Sequence, residues 1–192
     1  ESREVFTLRP QFYAFLMLST LTYPILTFLS KLVPIWFAEM NISGDWFAGY
    51  NIAFGMGSLV TGLFVSRLLG VSTHPKIIIG AMLLATMALI GMSLSASPQS
   101  LILCTFFFGT FNALNRIART NWMHYSVNID QRGRADGGLQ MFSTLVQSVS
   151  YVAIAFLSHF GLTQLGFMLA AMVMVAAVFM MVRLNGRMKL SA

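Results

Sequence analysis

Apolar residues run along this chain in six long blocks, at about 12–37, 46–66, 77–96, 101–123, 137–158 and 162–182. A helix needs about 20 such residues to cross a bilayer, and each block supplies them. The links between blocks are short, so neighbouring spans are expected to run antiparallel. Polar positions divide the blocks further. The first carries Thr20, Tyr23, Thr27 and Lys31 at helical spacing, and the second Asn51, Gly55, Ser58 and Gly62. The fourth carries Thr105, Asn112, Asn115, Arg116 and Arg119, and the fifth Gln140, Ser143, Thr144, Gln147 and Tyr151. The third has only Thr86 and the serines near 93–95, and the sixth nothing polar between Phe167 and Val182. The order is polar, polar, apolar, twice over. It predicts an all-α, polytopic membrane protein of six transmembrane helices, built as a 3+3 inverted repeat divided into 1–97 and 98–192. The repeat is one of pattern, without residue identity between the halves.

Composition agrees with lipid as the main solvent. Of 192 residues, 57% are hydrophobic and only 9% charged, far below the usual quarter of a soluble domain. A single cysteine, Cys104, excludes an internal disulfide or a multi-cysteine metal site, and its apolar surroundings mark it as packing. No cofactor is called for. The chain begins at Glu1 with no secretory signal, so a fragment is expected.

Charge sets the expected orientation. Six spans put both termini on one side, together with Arg3, Arg9, Arg67, Lys76, Arg116, Arg119, Arg132, Arg134, Arg183, Arg187 and Lys189. The other side receives only Lys31. Basic residues in short loops stay cytoplasmic, so both termini are expected there, in an inner (cytoplasmic) membrane. The net charge of +6 is accounted for by this asymmetry, which removes the case for a nucleic-acid partner. Trp36 and Trp46 flank the first outer link and Trp122 sits at the inner end of the fourth span, as interface belts require.

The polar rows have two physical readings. Small residues such as Gly55, Ser58 and Gly62 permit close helix contact and are read as packing. Asn112, Asn115, Gln140 and Gln147 cost more to bury, so they either line a wet cavity or bond between helices. From Leu101 at 1.5 Å per residue, Arg116 lies about 22 Å into a 30 Å core and Arg119 about 3 Å from its inner edge. Arg119 is thus read as an anchor that snorkels to the interface. Arg116 is read as a cavity-facing anion contact or gate, with snorkelling the alternative. Pro24 and Pro34 allow kinks on either side of Lys31.

No Asp, Glu or His lies near mid-membrane: Glu1, Glu4, Asp130 and Asp136 fall on the inner side, Glu39 and Asp45 on the outer, and the three histidines at span ends or in links. A proton relay would need such a group, so its carboxylate is expected in another part of the protein. Asp130 and Asp136 are read as loop ion-pair partners of Arg132 and Arg134, with Asp136 a helix cap. HExxH, a P-loop and a nucleophile–His–acid set are all missing from the sequence, so an enzyme is not expected.

Two segments carry a family resemblance. In "GLFVSRLLGVSTHPK", Gly62, Arg67 and Lys76 are similar to the cytoplasmic loop motif of the major facilitator superfamily, with Ser66 where that motif has an acid. In "QRGRADGGLQ", Gly133, Arg134 and Gly137 resemble the opening of the fifth helix of the C-terminal half in drug, macrolide and siderophore exporters. With the hydropathy repeat, the whole chain resembles the C-terminal six-helix half of such a transporter. The resemblance implies a missing N-terminal six-helix half, a proton as coupling ion, and alternating access around a mid-membrane site for a small-molecule substrate. It implies a substrate cavity lined by Tyr23, Thr27, Asn51, Asn112, Asn115, Arg116, Gln140, Gln147 and Tyr151, with Gly62, Arg67, Lys76 and Arg134 at the cytoplasmic gate. The leading expectation is gradient-driven export of a small amphipathic or anionic molecule. Uptake of a nutrient and a non-transporting assembly role are the alternatives.

Overall fold

In the computed structural model, described at residues 6–7 and 9–190, the described secondary structure is helical. The helices are α1 (Pro10–Thr20), α2 (Thr22–Glu39), α3 (Asp45–Val71), α4 (His74–Ser93), α5 (Pro98–Ser126), α6 (Ile129–His159) and α7 (Leu165–Leu190). Counting α1 and α2 as one span, six helices are long and apolar enough to cross a membrane. The chain is an integral membrane protein on that ground. Arg3, Glu1 and Glu4, placed on the inner side from the sequence, lie outside the described residues.

Several helices overrun their apolar blocks. α6 begins at Ile129, so the charged "QRGRADGG" stretch is helical rather than a loop, and Asp136 lies within the helix and is not its cap. Lipid thickness limits the apolar block, whereas backbone hydrogen bonding carries a helix on into water. Arg132 is not a simple loop ion-pair partner: its guanidinium donates to the carbonyls of His124 and Val127 and so closes the end of α5.

The first span breaks at Leu21, whose N–H turns back to the Leu18 carbonyl at 3.2 Å. Pro24 has no N–H and its ring crowds the carbonyl four residues earlier, so the break falls just before it. Pro34, by contrast, stays inside the unbroken α2. The spans end in two like turns. Asn41 (φ 54°) and Gly161 (φ 64°) take the left-handed conformation, and the next N–H bonds five residues back, Ile42 to Phe37 and Leu162 to Leu157. The two turns follow α2 and α6, whose neighbourhood is tied by a hydrogen bond from the Thr163 hydroxyl to the Glu39 carboxylate.

The helices pack unequally. α5 is central, with α3 and α4 against it; α4 also meets α7, α7 meets α1, and α6 meets chiefly α2. α3 crosses α5 with backbones touching: a Cβ on Gly57 would overlap the Phe106 carbonyl, and one on Gly109 the Phe54 carbonyl. Thr61 Oγ1 donates to the Thr110 carbonyl (2.7 Å) and Ser58 Oγ to that of Gly109 (3.3 Å). Gly57 and Ser58 are therefore packing residues, but Gly55 and Gly62 face open space and are not. Cys104 is packing too, its Sγ lying 2.7 Å from where a Cβ on Gly91 would stand. α4 and α7 each bury one face and leave an apolar one outside, Leu83, Met87 and Ile90 on the first and Met172, Phe179 and Val182 on the second. Trp36 departs from the interface-belt reading. It is 3% exposed and packs edge-on against Phe167.

Candidate functional site

The polar residues singled out along the spans separate into a buried knot and an exposed set. The knot forms at the break between α1 and α2. There the Asn115 amide donates to the Ser19 carbonyl (2.8 Å), to Thr22 Oγ1 (3.0 Å) and weakly to Met82 Sδ (3.6 Å). One helical turn further on, Arg119 donates to the same Ser19 carbonyl at 2.9 Å. Ser19 and Thr20 satisfy their own hydroxyls on the Leu16 carbonyl, at 2.7 and 2.8 Å. A broken helix exposes carbonyls, and donors from a neighbouring helix re-satisfy them. Asn115 is fully buried, so of its two readings the structure adopts the bond between helices and not the cavity wall. Its Oδ1 finds no donor among the described residues. Arg119 also differs from expectation. It reaches inward to α1 instead of snorkelling outward, because depth along a helix does not fix the direction in which a side chain leaves it.

The other residues keep to their own helices or face outward. Arg116 is exposed and Asn112 half-buried, on the flank of α5 beside the knot. On α3, the exposed Asn51 gives its amide to the Phe47 carbonyl at 3.0 Å. On α2, Tyr23 is 47% exposed and the half-buried Thr27 bonds back to the Tyr23 carbonyl at 3.1 Å. On α6, Gln140 and Tyr151 are exposed, Gln147 is half-buried, and the Gln147 amide lies 3.4 Å from Ser143 Oγ. Thr144 bonds to the Gln140 carbonyl at 2.9 Å. Gly62, Arg67, Lys76 and Arg134 are exposed, the first two on α3, Lys76 in the first turn of α4 and Arg134 on α6.

Thus the structure joins Asn115 to Ser19, Thr22 and Arg119, three residues outside the predicted cavity set. The Ser19–Thr20–Leu21–Thr22 run just ahead of Pro24 is the signal that could have found them: hydroxyls beside a proline break mark carbonyls in need of partners. Asn51, Arg116, Gln140 and Tyr151 share no hydrogen bond with one another; what they have in common is exposure on helices long and apolar enough to cross a membrane. A polar group in that position needs water or a protein partner.

Among the described residues no cluster of three or more His, Cys, Asp or Glu could hold a metal ion. The groups the singled-out residues offer include amides, hydroxyls and the exposed guanidiniums of Arg67, Arg116 and Arg134. Comparison with known protein families, curated proteins and solved structures returns no match.

Proposed function

We propose that the chain is half of a secondary transporter of major-facilitator type, which moves a small amphipathic or anionic molecule by alternating access. Export is the favoured direction. The observation that carries the reading is the pattern of helix packing. Exchange the first three spans for the last three: the α3–α5 contact becomes α6–α2, α4–α5 becomes α7–α1, and α4–α7 becomes itself. Such pairing is what an inverted repeat of three helices produces. The exposure of α3 and α6 supports the same reading, since only 17% of the apolar window of each is buried. In this scheme those two helices, with Arg116 of α5, face the second half across a wet cavity. The proton is the coupling ion, and both termini are cytoplasmic.

The test is flux in vesicles containing the complete transporter, with a panel of amphipathic anions and an imposed proton gradient. Gradient-dependent movement should fall sharply in Arg116→Ala with no change in thermal stability. Arg119→Ala should lower stability first, because it loosens the knot. Flux that ignores the gradient in the unaltered protein, or equal and mild effects of both substitutions, would remove the reading.

A further inference from the structure

A cleft with a volume of about 670 Å³ lies apart from the polar rows, at the end of the bundle where α1 and α4 begin and α5 and α7 finish. Arg9 and Lys189 line it and are exposed, with Asn185 and Thr73 beside them, and no acidic residue lines it among those described. Arg9 is held in place. Its guanidinium donates to the Ser126 carbonyl at 3.3 Å and stands 5.0 Å from the centre of the Phe12 ring. Phe12 in turn meets Trp122 edge-on at 4.9 Å, and both form the apolar wall of the cleft. Neither N-cap residue closes its helix with its own side chain, Arg9 for α1 or Thr73 for α4. Uncapped first turns present N–H donors and the positive end of the helix dipole.

We propose that this cleft seats an anionic membrane lipid: its phosphodiester between Arg9 and Lys189, its glycerol and upper acyl chain against Phe12 and Trp122. Two cations, with no acid lining the cleft among the described residues, select negative charge. An aromatic wall beside them selects an amphiphile over a soluble anion, because a free phosphate gains nothing from Phe12 and Trp122. The site stands independently of the transport reading, since it needs only that this end of the bundle meets a lipid headgroup layer.

Trp122 is a built-in reporter. Replacing the other two tryptophans, Trp36→Phe with Trp46→Phe, leaves it as the sole tryptophan, excited selectively at wavelengths that tyrosine does not absorb. The full chain is placed in phosphatidylcholine vesicles containing equal fractions of either brominated phosphatidylglycerol or brominated phosphatidylcholine. The anionic lipid should quench Trp122 more strongly. Arg9→Gln or Lys189→Gln should each reduce that preference about fivefold. Arg187→Gln, an equal loss of charge on a different groove of α7, should leave it unchanged. The unaltered chain gives a second reading by mass spectrometry of the detergent-purified protein, which should retain phosphatidylglycerol over phosphatidylcholine and lose it in Arg9→Gln. Equal quenching by the two lipids and equal retention would overturn the proposal. So would relief of quenching by millimolar inorganic phosphate, which would make the cleft a site for a soluble anion.

Discussion

Helices α5 and α6 begin as near equals in sequence and end in opposite situations. Each is about 30 residues long, apolar enough to span, and striped with amides and hydroxyls. Half of the apolar window of α5 is buried, against 17% for α6. On α5, Asn115 and Arg119 reach across to α1 and α2, and Gly109 lets α3 approach to backbone contact. On α6, Thr144 and Gln147 bond only within the helix. The lesson is that a polar row does not by itself declare its purpose. A polar group bonded across helices in a dry interior holds the fold, whereas one left exposed on a spanning helix is available for water, a partner or a ligand.

The difference can be attacked from either side. Gly109→Val should have the largest effect, because its side chain must displace the Phe54 carbonyl and part α3 from α5. We expect a loss of about 3 kcal/mol in unfolding from detergent micelles. Asn115→Leu should come next, costing about 1 kcal/mol as the Ser19 carbonyl and Thr22 lose a donor. Combining it with Arg119→Leu should give a non-additive loss, since both groups serve the same carbonyl. On α6, Gln140→Leu and Gln147→Leu should change stability by less than about 0.5 kcal/mol while suppressing the flux proposed above. Gly62→Ala, at a position that faces open space, should alter no contact and stabilise α3 slightly, by about 0.5 kcal/mol. Equal stability losses from the α5 and α6 amide substitutions would erase the contrast.

The number of spans and their approximate places were legible in the sequence, because bilayer thickness imposes a minimum apolar length. Helix ends were less so: the charges of "QRGRADGG" mark where α6 leaves lipid and not where it stops being a helix. Pro24 announced a kink, and the break lies one turn earlier, at Leu21. Hidden altogether was direction around the helix axis. Position along α5 placed Arg119 near the membrane edge and Arg116 deeper, yet the shallower arginine turns inward and the deeper one outward. Trp36 misleads for a related reason. An aromatic at a span end suits an interface belt, but Phe167 from α7 covers it. Such facts depend on which helices become neighbours, and the packing of distant spans leaves little trace in the period of any one of them.

The central claim is that the knot at Asn115 is dry while the rows beside it are wet, and accessibility to a polar thiol reagent tests it most directly. In a Cys104→Ser background, single cysteines at positions 51, 115, 116, 140 and 151 would be exposed to a charged methanethiosulfonate in intact membranes. Modification at 51, 116, 140 and 151 with protection at 115 is the predicted result. Protection at 116, 140 and 151 alike would mean that those faces meet lipid, and with that the account of a wet cavity would be contradicted.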